Sequence, residues 1–229
     1  MTLQEGLITM DPAVRRLGVH VAYTVLEGVV VSREAEGLEE HGRRLVEEVR
    51  SKYTLESLKA NPVVRAYRDF MWRLGIDPTK TRPSSEALVR RLLRRGSFPR
   101  INNVVDSGNF ASVETLVPIG LYDVDRFSQP LILRYARQGE EFNPIGGERE
   151  VLDGSEVVLA DSRGRILHIY PHRDSRETMI REGTRRVLVV SAGVPGVSRS
   201  LVVEAARLTA SYIERYASAR TLFDPVYVG

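Results

Sequence analysis

Apolar residues recur along this chain in two periods, and the change from one to the other predicts two kinds of secondary structure. In the middle section they return every three or four positions, as on one face of an α-helix. One predicted helix begins at Asn61 and Pro62, because asparagine accepts backbone N–H bonds at an N-cap and proline fits the first helical turn. Another is predicted to be capped by Ser84 or Ser85 and to end at Gly96.

From Pro118 onwards the period shortens to the alternation that is typical of β-strands. The alternation runs through the segments IGLYDVD, PLILRYA, EVVLAD, GRILHIY and RRVLVVSAG. A last helix, capped by Ser198, follows them. Before the middle section, the β-branched stretch Gly18 to Ser32 predicts one long or two short strands, and the charged stretch Glu34 to Lys52 predicts an exposed helix.

This mixture predicts an α+β protein, because its strands follow one another through short turns and do not alternate regularly with helices. Its core strands would lie between Pro118 and Ala192, be mainly antiparallel, and pack on the helices that begin at Pro62, Ser84 and Ser198. The composition agrees with one soluble domain, since 42% of the 229 residues are hydrophobic and 28% are charged. No apolar run reaches the ~18 residues of a membrane helix, and the opening residues MTLQEGLITMDPAVRR lack the pattern of a secretory signal. We therefore expect a cytoplasmic protein.

Two features of the composition narrow the possible chemistry. Cysteine is absent, which excludes disulfides, zinc–thiolate sites and cysteine nucleophiles. The basic residues are almost all arginine, and Lys52, Lys59 and Lys80 are the only lysines. Arginine binds phosphate through two parallel hydrogen bonds, so this preference fits a phosphate-rich partner. The abundance of Glu and Arg and the scarcity of Asn and Gln are also typical of a protein selected for heat, which requires no such partner.

Local motifs for nucleotide binding and for a serine nucleophile are absent, since the sequence contains no GxGxxG, GxxxxGK[ST] or GxSxG. His168 and His172 do not suit a metal, because four residues of strand separate them by about 13 Å and Pro171 forbids a helix. We interpret them as surface or turn histidines. Asp123 and Asp125 end a predicted strand and favour a solvated turn over a magnesium site. We expect neither a metal nor an organic cofactor.

The densest basic stretch has seven Lys and Arg residues between positions 80 and 100, opposed only by Glu86. At helical spacing, two pairs of them form adjacent columns, Arg90 with Arg94 and Arg91 with Arg95. Such a face attracts an anion, and we predict that it contacts an RNA backbone. The alternative is a solvated helix face whose charges pair with acidic residues elsewhere.

Polar residues are concentrated in an otherwise apolar region directly after that stretch. Asn102 and Asp106 are four positions apart, so on a helix an amide and a carboxylate would point toward one place. They suggest a lined pocket or, alternatively, a buried network that joins the helix to the sheet. The group continues with Asn103, Ser107, Asn109, Pro118, Gly120, Tyr122, Asp123, Arg134, Gly146, Gly147, Arg173 and Asp174.

A series of motifs runs through the same part of the chain in the order RPSSEALVRR, PRINNVVDSGN, PIGLYDVD and LRYARQGEEF. After them come Asp161, Arg173-Asp174-Ser175 and Thr184. This order resembles the B3/4 domain, the tRNA-binding and editing module of phenylalanyl-tRNA synthetase β subunits, which also occurs as free-standing proteins. The resemblance covers roughly Val63 to Tyr212.

The resemblance implies a three-layer β/β/α fold, with a β-sandwich-like core of mainly antiparallel strands covered by helices. It also implies a pocket, which in the synthetase receives tyrosine wrongly attached to phenylalanine tRNA. Residues 61–229 would form this domain, and residues 1–60 a strand–helix extension packed on it. The anticodon-binding and aminoacylation modules of the synthetase are missing, so we expect a free-standing relative that does not itself activate an amino acid.

The family's pocket positions match Asn102, Asp106, Asn109, Tyr122, Asp123 and Thr184 of this chain. Two editing positions differ, because Gly120 stands at the family's histidine and Val190 at its glutamate. The resemblance implies that the protein deacylates mischarged aminoacyl-tRNA in trans, with water as the nucleophile and Asp106 or Asp174 orienting it. The alternative is a module without hydrolytic activity that binds RNA or an amino-acid-like small molecule.

Overall fold

The structure, a computed structural model, describes residues 6–229, and the first five positions lie outside the described residues. Those five are the first residues of the expected 1–60 extension. They are also the first residues of the segment that lacks the pattern of a secretory signal. The helices of the described range are α1 (Pro12–Arg15), α2 (Leu38–Lys52), α3 (Leu55–Ala60), α4 (Pro62–Arg73), α5 (Ser84–Arg95), α6 (Asn103–Thr115) and α7 (Arg199–Ala217). None of these helices is long and apolar enough to cross a membrane.

The strands are short except for two that run through the middle of the molecule. They are β1 (Ile8–Met10), β2 (His20–Glu27), β3 (Ile119–Asp123), β4 (Leu131–Tyr135), β5 (Glu141–Phe142), β6 (Glu150–Val151), β7 (Val157–Ala160), β8 (Ile166–Ile169), β9 (Arg173–Asp174), β10 (Arg186–Gly193), β11 (Arg220–Thr221) and β12 (Val226–Val228). The mixture of helices and largely antiparallel strands confirms the predicted α+β class.

The strands form two larger sheets and one hairpin. The central sheet has the order β11-β2-β10-β3, with β12 also paired to β2, and all of its pairs are antiparallel. The outer sheet has the order β1-β4-β7-β8-β9, in which the β1–β4 pair is parallel and the other pairs are antiparallel. The hairpin consists of β5 and β6.

The central sheet is the middle layer of three. Tyr23 and Val190 of this sheet belong to the same buried apolar cluster as Leu133 and Leu159 of the outer sheet, so the two sheets share one core. The opposite face of the central sheet carries α7, where Oγ of Ser191 donates a hydrogen bond to a backbone carbonyl of that helix at 2.7 Å. The layers are therefore sheet, sheet and helices, as the resemblance implied.

The predicted helix ends agree with the structure at three positions and differ at one. Asn61 caps α4 and Ser198 caps α7, each accepting a backbone N–H bond with its side chain. Gly96 ends α5 with a left-handed φ of 65°. The predicted serine cap of α5 is wrong, because the helix already starts at Ser84 and its N-cap position is Pro83, which has no side-chain acceptor.

The predicted interval for the core strands is too narrow. β2 lies outside Pro118 to Ala192, yet it pairs with β10 along all eight of its residues and with β11 and β12 on its other edge. Seven consecutive residues of β2 are buried, which a strand requires when it has a sheet on one face and a helix on the other. The strand expected from the first sixty residues is thus an integral part of the central sheet.

Candidate functional site

A cavity of about 150 Å³ lies between the two sheets, beside α5 and α6. Since one water takes about 30 Å³ of liquid volume, the cavity has room for roughly five waters or one small organic group. Apolar side chains from both sheets form much of its wall, and a few polar groups converge on it. The polar or small residues that line it include Ser84, Asn109, Ser112, Gly120, Tyr122, His168, His172 and Asp174.

Asp174 organises the polar wall of this cavity. It lies directly opposite His168 in the β8–β9 ladder, and Nδ1 of His168 is 2.9 Å from its Oδ1 atom. The hydroxyl of Tyr122, which comes from the central sheet, donates to the same oxygen at 2.8 Å. A carboxylate at Nδ1 favours the tautomer that carries its proton there, which leaves Nε2 of His168 as a proton acceptor. The arrangement can therefore supply a general base.

Burial keeps Tyr122 and His172, two further titratable groups of the cavity, neutral. Burial, together with the negative charge of Asp174, raises the pKa of Tyr122 well above its ordinary value, so the phenol stays a hydrogen-bond donor. Burial also lowers the pKa of His172 to about 4, with a smaller contribution from His168 and Arg173. Its Nδ1 atom is buried and has no hydrogen-bond partner among the described residues. At neutral pH, His172 is an uncharged polar group of the cavity.

Gly120 is needed for the position of Tyr122. Residues i and i+2 of a strand share one face, and the ring of Tyr122 folds back over the glycine. A Cβ atom at Gly120 would lie 2.1 Å from the Tyr122 hydroxyl oxygen and 2.6 Å from its Cζ atom. Any larger residue at this position would displace the tyrosine and with it one hydrogen bond to Asp174.

Four of the predicted site residues lie outside this cavity, two of them at the start of α6. Asn102 is the N-cap of that helix, and its Oδ1 atom accepts the N–H groups of Val104 and Val105. Asp106 accepts the N–H of Ile101 at 3.1 Å and lines a different cavity. The i, i+4 spacing does not produce a shared helix face, because Asn102 precedes the first turn of α6 as its N-cap. The inter-sheet cavity contacts the later turns of α6, through Asn109 and Ser112.

The other two predicted site residues outside the cavity are Asp123 and Thr184, which form a structural contact with each other. Oγ1 of Thr184 donates to Oδ2 of Asp123 at 2.8 Å, and Oδ1 of Asp123 accepts the N–H of Asp125. This contact ties the end of β3 to the loop before β10, and neither residue lines the inter-sheet cavity. Of the predicted substrate-binding and catalytic residues, the structure brings together Asn109, Gly120, Tyr122 and Asp174.

The interpretation as surface or turn residues is wrong for His168, which lies in β8, is only 8% exposed and lines the cavity. His172 lies in the turn between β8 and β9, as expected, and it also lines the cavity. The available signal was the distance of six residues from His168 to Asp174, which suits two strands of a tight hairpin. Within residues 6–229, no group of three or more His, Asp or Glu side chains is placed to hold a metal ion.

The predicted arginine columns lie on α5 as expected from the helical spacing, but their members differ in exposure. Arg91, Arg94 and Arg95 are exposed, whereas the side chain of Arg90 is 16% exposed and lies 3.8 Å from the buried carboxylate of Glu86. Burial, with the nearby positive charge of Arg82, lowers the pKa of Arg90. These four arginines and Arg82 line one groove.

Comparisons with known proteins agree with this architecture. The sequence profile of the B3/4 domain matches residues 66–218. The phenylalanine–tRNA ligase β subunit of Symbiobacterium thermophilum is 34% identical over 114 residues, which are 49% of this chain and 13% of that protein. The β subunit of Nocardia farcinica is 33% identical over 118 residues, 52% of this chain and 14% of the relative. The chain thus spans a small part of the relatives that it matches.

A solved structure shares the fold. It is an N-terminal fragment of the phenylalanyl-tRNA synthetase β subunit from Pyrococcus horikoshii, with a TM-score of 0.52 and 14% identity. The superposition covers 97% of this chain and 54% of that fragment, so it includes most of the residues before the profile match. With a profile match over most of its length, the chain belongs to the B3/4 domain family.

Proposed function

We propose that this protein binds the aminoacyl end of a tRNA, places the amino acid in the inter-sheet cavity, and hydrolyses the ester bond in trans. The observation that carries the proposal is the pair of His168 and Asp174 on the cavity wall, 2.9 Å apart. A histidine held by a carboxylate is a common general base, and the cavity has the size of a small organic group. Such a substrate would place the activity in the cytoplasm.

The chemistry requires no cofactor, because an aminoacyl ester is already activated. Nε2 of His168 takes a proton from a water molecule, whose oxygen attacks the carbonyl carbon of the ester. The bond between this carbon and the ribose oxygen then breaks, and the ribose oxygen receives the proton. Asp174 holds the imidazole in the required tautomer and stabilises its charged form. In this scheme Asp174 acts through His168, and Asp106 has no part.

The arginine groove of α5 is the proposed contact for the RNA backbone. Arg91, Arg94 and Arg95 make no hydrogen bond or ion pair with any described residue, so their guanidinium groups are free for phosphate oxygens. The same helix lines the inter-sheet cavity with Ser84 and Leu88. One helix thus connects the site proposed for the amino acid with the site proposed for the RNA.

A second candidate function, ligand binding without hydrolysis, is favoured by a separate observation. Gly120 and Val190 face each other in the β3–β10 ladder, and both line the cavity. These are the positions at which the resemblance places the family's histidine and glutamate, and neither carries a reactive group here. In this case the occupant would be an amino-acid-like small molecule or the end of an RNA.

Release of free amino acid from aminoacyl-tRNA distinguishes the two. We would incubate the protein with tyrosine attached to phenylalanine tRNA and with a panel of other aminoacyl-tRNAs. Hydrolysis predicts release above the spontaneous rate, and a loss of this release in Asp174→Asn. Asp125→Asn, which removes an exposed carboxylate outside the cavity, serves as the matched control. Binding to the parent without release would support the second function, and neither binding nor release would refute both.

A further inference from the structure

A second cavity, of about 410 Å³, lies between α2 and α6 and is closed on one side by the connector from α5 to α6. It lies apart from the inter-sheet cavity and shares none of its lining residues. Its size is in the range of small-molecule sites in proteins, which is about 300–1,000 Å³. Apolar side chains form its walls, among them Val46, Phe98 and Phe110.

A buried acid that forms no ion pair with any described residue lies inside this cavity. Asp106 is only 2% exposed, and its Oδ1 atom accepts one backbone N–H, that of Ile101. Burial raises the pKa of this carboxyl to about 6, against the smaller opposing effects of the Ile101 N–H and of the positive charge of Arg100. Arg100 also lines the cavity, but its guanidinium is taken by Glu39 at 2.9 Å. A carboxylate in this position favours a ligand that brings a positive charge, because an unpaired buried charge is costly.

The rim of the cavity carries the opposite charge. Arg43 and Arg50 line it and make no hydrogen bond or ion pair with any residue in the range 6–229. Arg50 is placed there by a glycine, since its Nη1 atom is 2.9 Å from the position that a Cβ of Gly96 would take. Glu47, also on the rim, prevents the entrance from being purely basic. The cavity thus offers an acid inside, arginines at the rim and aromatic walls between.

We propose that this cavity binds a free apolar amino acid as a zwitterion. Asp106 receives the ammonium group, Arg50 receives the carboxylate, and Phe98 and Phe110 contact the side chain. The site is independent of the proposed hydrolysis, because it uses other residues in another part of the fold. The proposal also gives Asp106 a binding role in this second cavity, whereas the sequence suggested a role in the same pocket as Asn109 and Tyr122.

Three probes that differ in their charged groups test the assignment by backbone amide NMR. They are phenylalanine, phenethylamine, which lacks the carboxylate, and 3-phenylpropionate, which lacks the ammonium group. We expect phenylalanine to bind at least about tenfold more tightly than either, since each charge-assisted hydrogen bond contributes to affinity. The shifted amides should be those of Gly42, Gly96 and Phe98, and not those of Gly120 and His168 in the inter-sheet cavity.

Variants separate this site from the proposed hydrolytic site. Asp106→Asn keeps an acceptor for Ile101 and should weaken phenylalanine binding by about tenfold or more. Arg50→Met should do the same, and it decides the question if the first variant does not fold. Arg44→Met removes an exposed arginine of the same helix that does not line the cavity, and should have no effect. Neither Asp106→Asn nor Arg50→Met should change amino acid release from tRNA.

Several results would overturn the proposal. Equal affinity for phenylalanine and phenethylamine would remove the role of Arg50, and equal affinity for phenylalanine and 3-phenylpropionate would remove that of Asp106. Shifts confined to the inter-sheet cavity would mean that the amino acid binds only there, which leaves the proposed function intact. An absence of amide shifts at both cavities would refute this site. The proposed function would still be decided by the release assay.

Discussion

The polar groups of the inter-sheet cavity and those of the helical side, formed by α2, α5 and α6, are held in different ways. In the cavity, two strands of one sheet and one strand of the other bring His168, Asp174 and Tyr122 into direct contact. On the helical side, Asp106 is buried without an ion pair, and three arginines of α5 have no hydrogen-bond or ion-pair partner, within residues 6–229. Strand register holds the side chains of the first set at hydrogen-bond distance from one another, which suits catalysis. The second set offers unbalanced charge, which suits the binding of charged ligands.

The largest effect, on the rate of amino acid release, is expected from a residue of the inter-sheet cavity. Replacing His168 with Gln removes the proposed base, and because general base catalysis contributes about 10²–10⁴-fold, amino acid release should fall by at least about 100-fold. His41→Gln is the matched control. It removes another buried histidine, which contacts Tyr216 and lies outside the cavity. Equal loss in both variants would indicate a general effect on folding, and no loss in His168→Gln would place the base elsewhere.

The difference between the two regions also explains what the sequence could predict. The hydrophobic period predicted the class of the fold, five strand segments after Pro118 and the helices at Asn61 and Ser198, because these depend on neighbours along the chain. The same local information placed the arginines of α5 on one face. It gave the i, i+4 spacing of Asn102 and Asp106, but not that Asn102 would cap α6 while Asp106 lines the second cavity.

The polar wall of the inter-sheet cavity depends on contacts between distant parts of the chain. Tyr122 reaches Asp174 across 52 residues and from a different sheet. His168 pairs with Asp174 only because β8 and β9 align in one register, and a shift by one residue would turn the histidine to the other face. Periodicity does not contain this register. The sequence therefore indicated Asp174 as a candidate by itself, without its partner His168.

The second effect concerns a buried charge of the helical side that is tightly paired. The carboxylate of Glu86 is fully buried and accepts two bonds from Arg68 at 3.0 and 3.1 Å. Arg68→Ala leaves this charge with only the more distant Arg90, so the free energy of unfolding should fall by about 3 kcal/mol. Urea denaturation measures it. Arg73→Ala, which removes an exposed arginine of the same helix, should change little. A small effect of both would mean that Arg90 can replace Arg68.

The third effect concerns the exposed arginines. Arg91→Gln with Arg95→Gln should weaken tRNA binding by about tenfold and reduce the dependence of log affinity on log salt by about 1–2 units, since each lost phosphate contact contributes about 0.7–0.9. Filter binding over a range of salt concentrations measures both. Arg163→Gln with Arg207→Gln removes the same charge elsewhere on the surface and should leave the slope unchanged. An unchanged slope in the first pair would exclude the groove as the RNA contact.

The smallest effect is a pH dependence of stability that comes from Asp106. Its pKa is about 6 in the folded protein because of burial, and about 3.9 in an unfolded chain, so folding takes up a proton between these values. The stability from this group is therefore fully present below about pH 4 and is lost as the pH rises through about 6. Asp106→Asn has no such proton, and its melting temperature relative to the parent should rise between about pH 4 and pH 7. Asp125→Asn, which removes an exposed carboxylate, controls for the change in net charge. The melting temperatures of Asp106→Asn and Asp125→Asn, each relative to the parent, could instead change with pH in the same way. In that case the charge of Asp106 is compensated in the folded state, and the contrast between its unpaired carboxyl and the paired carboxylate of Asp174 does not hold.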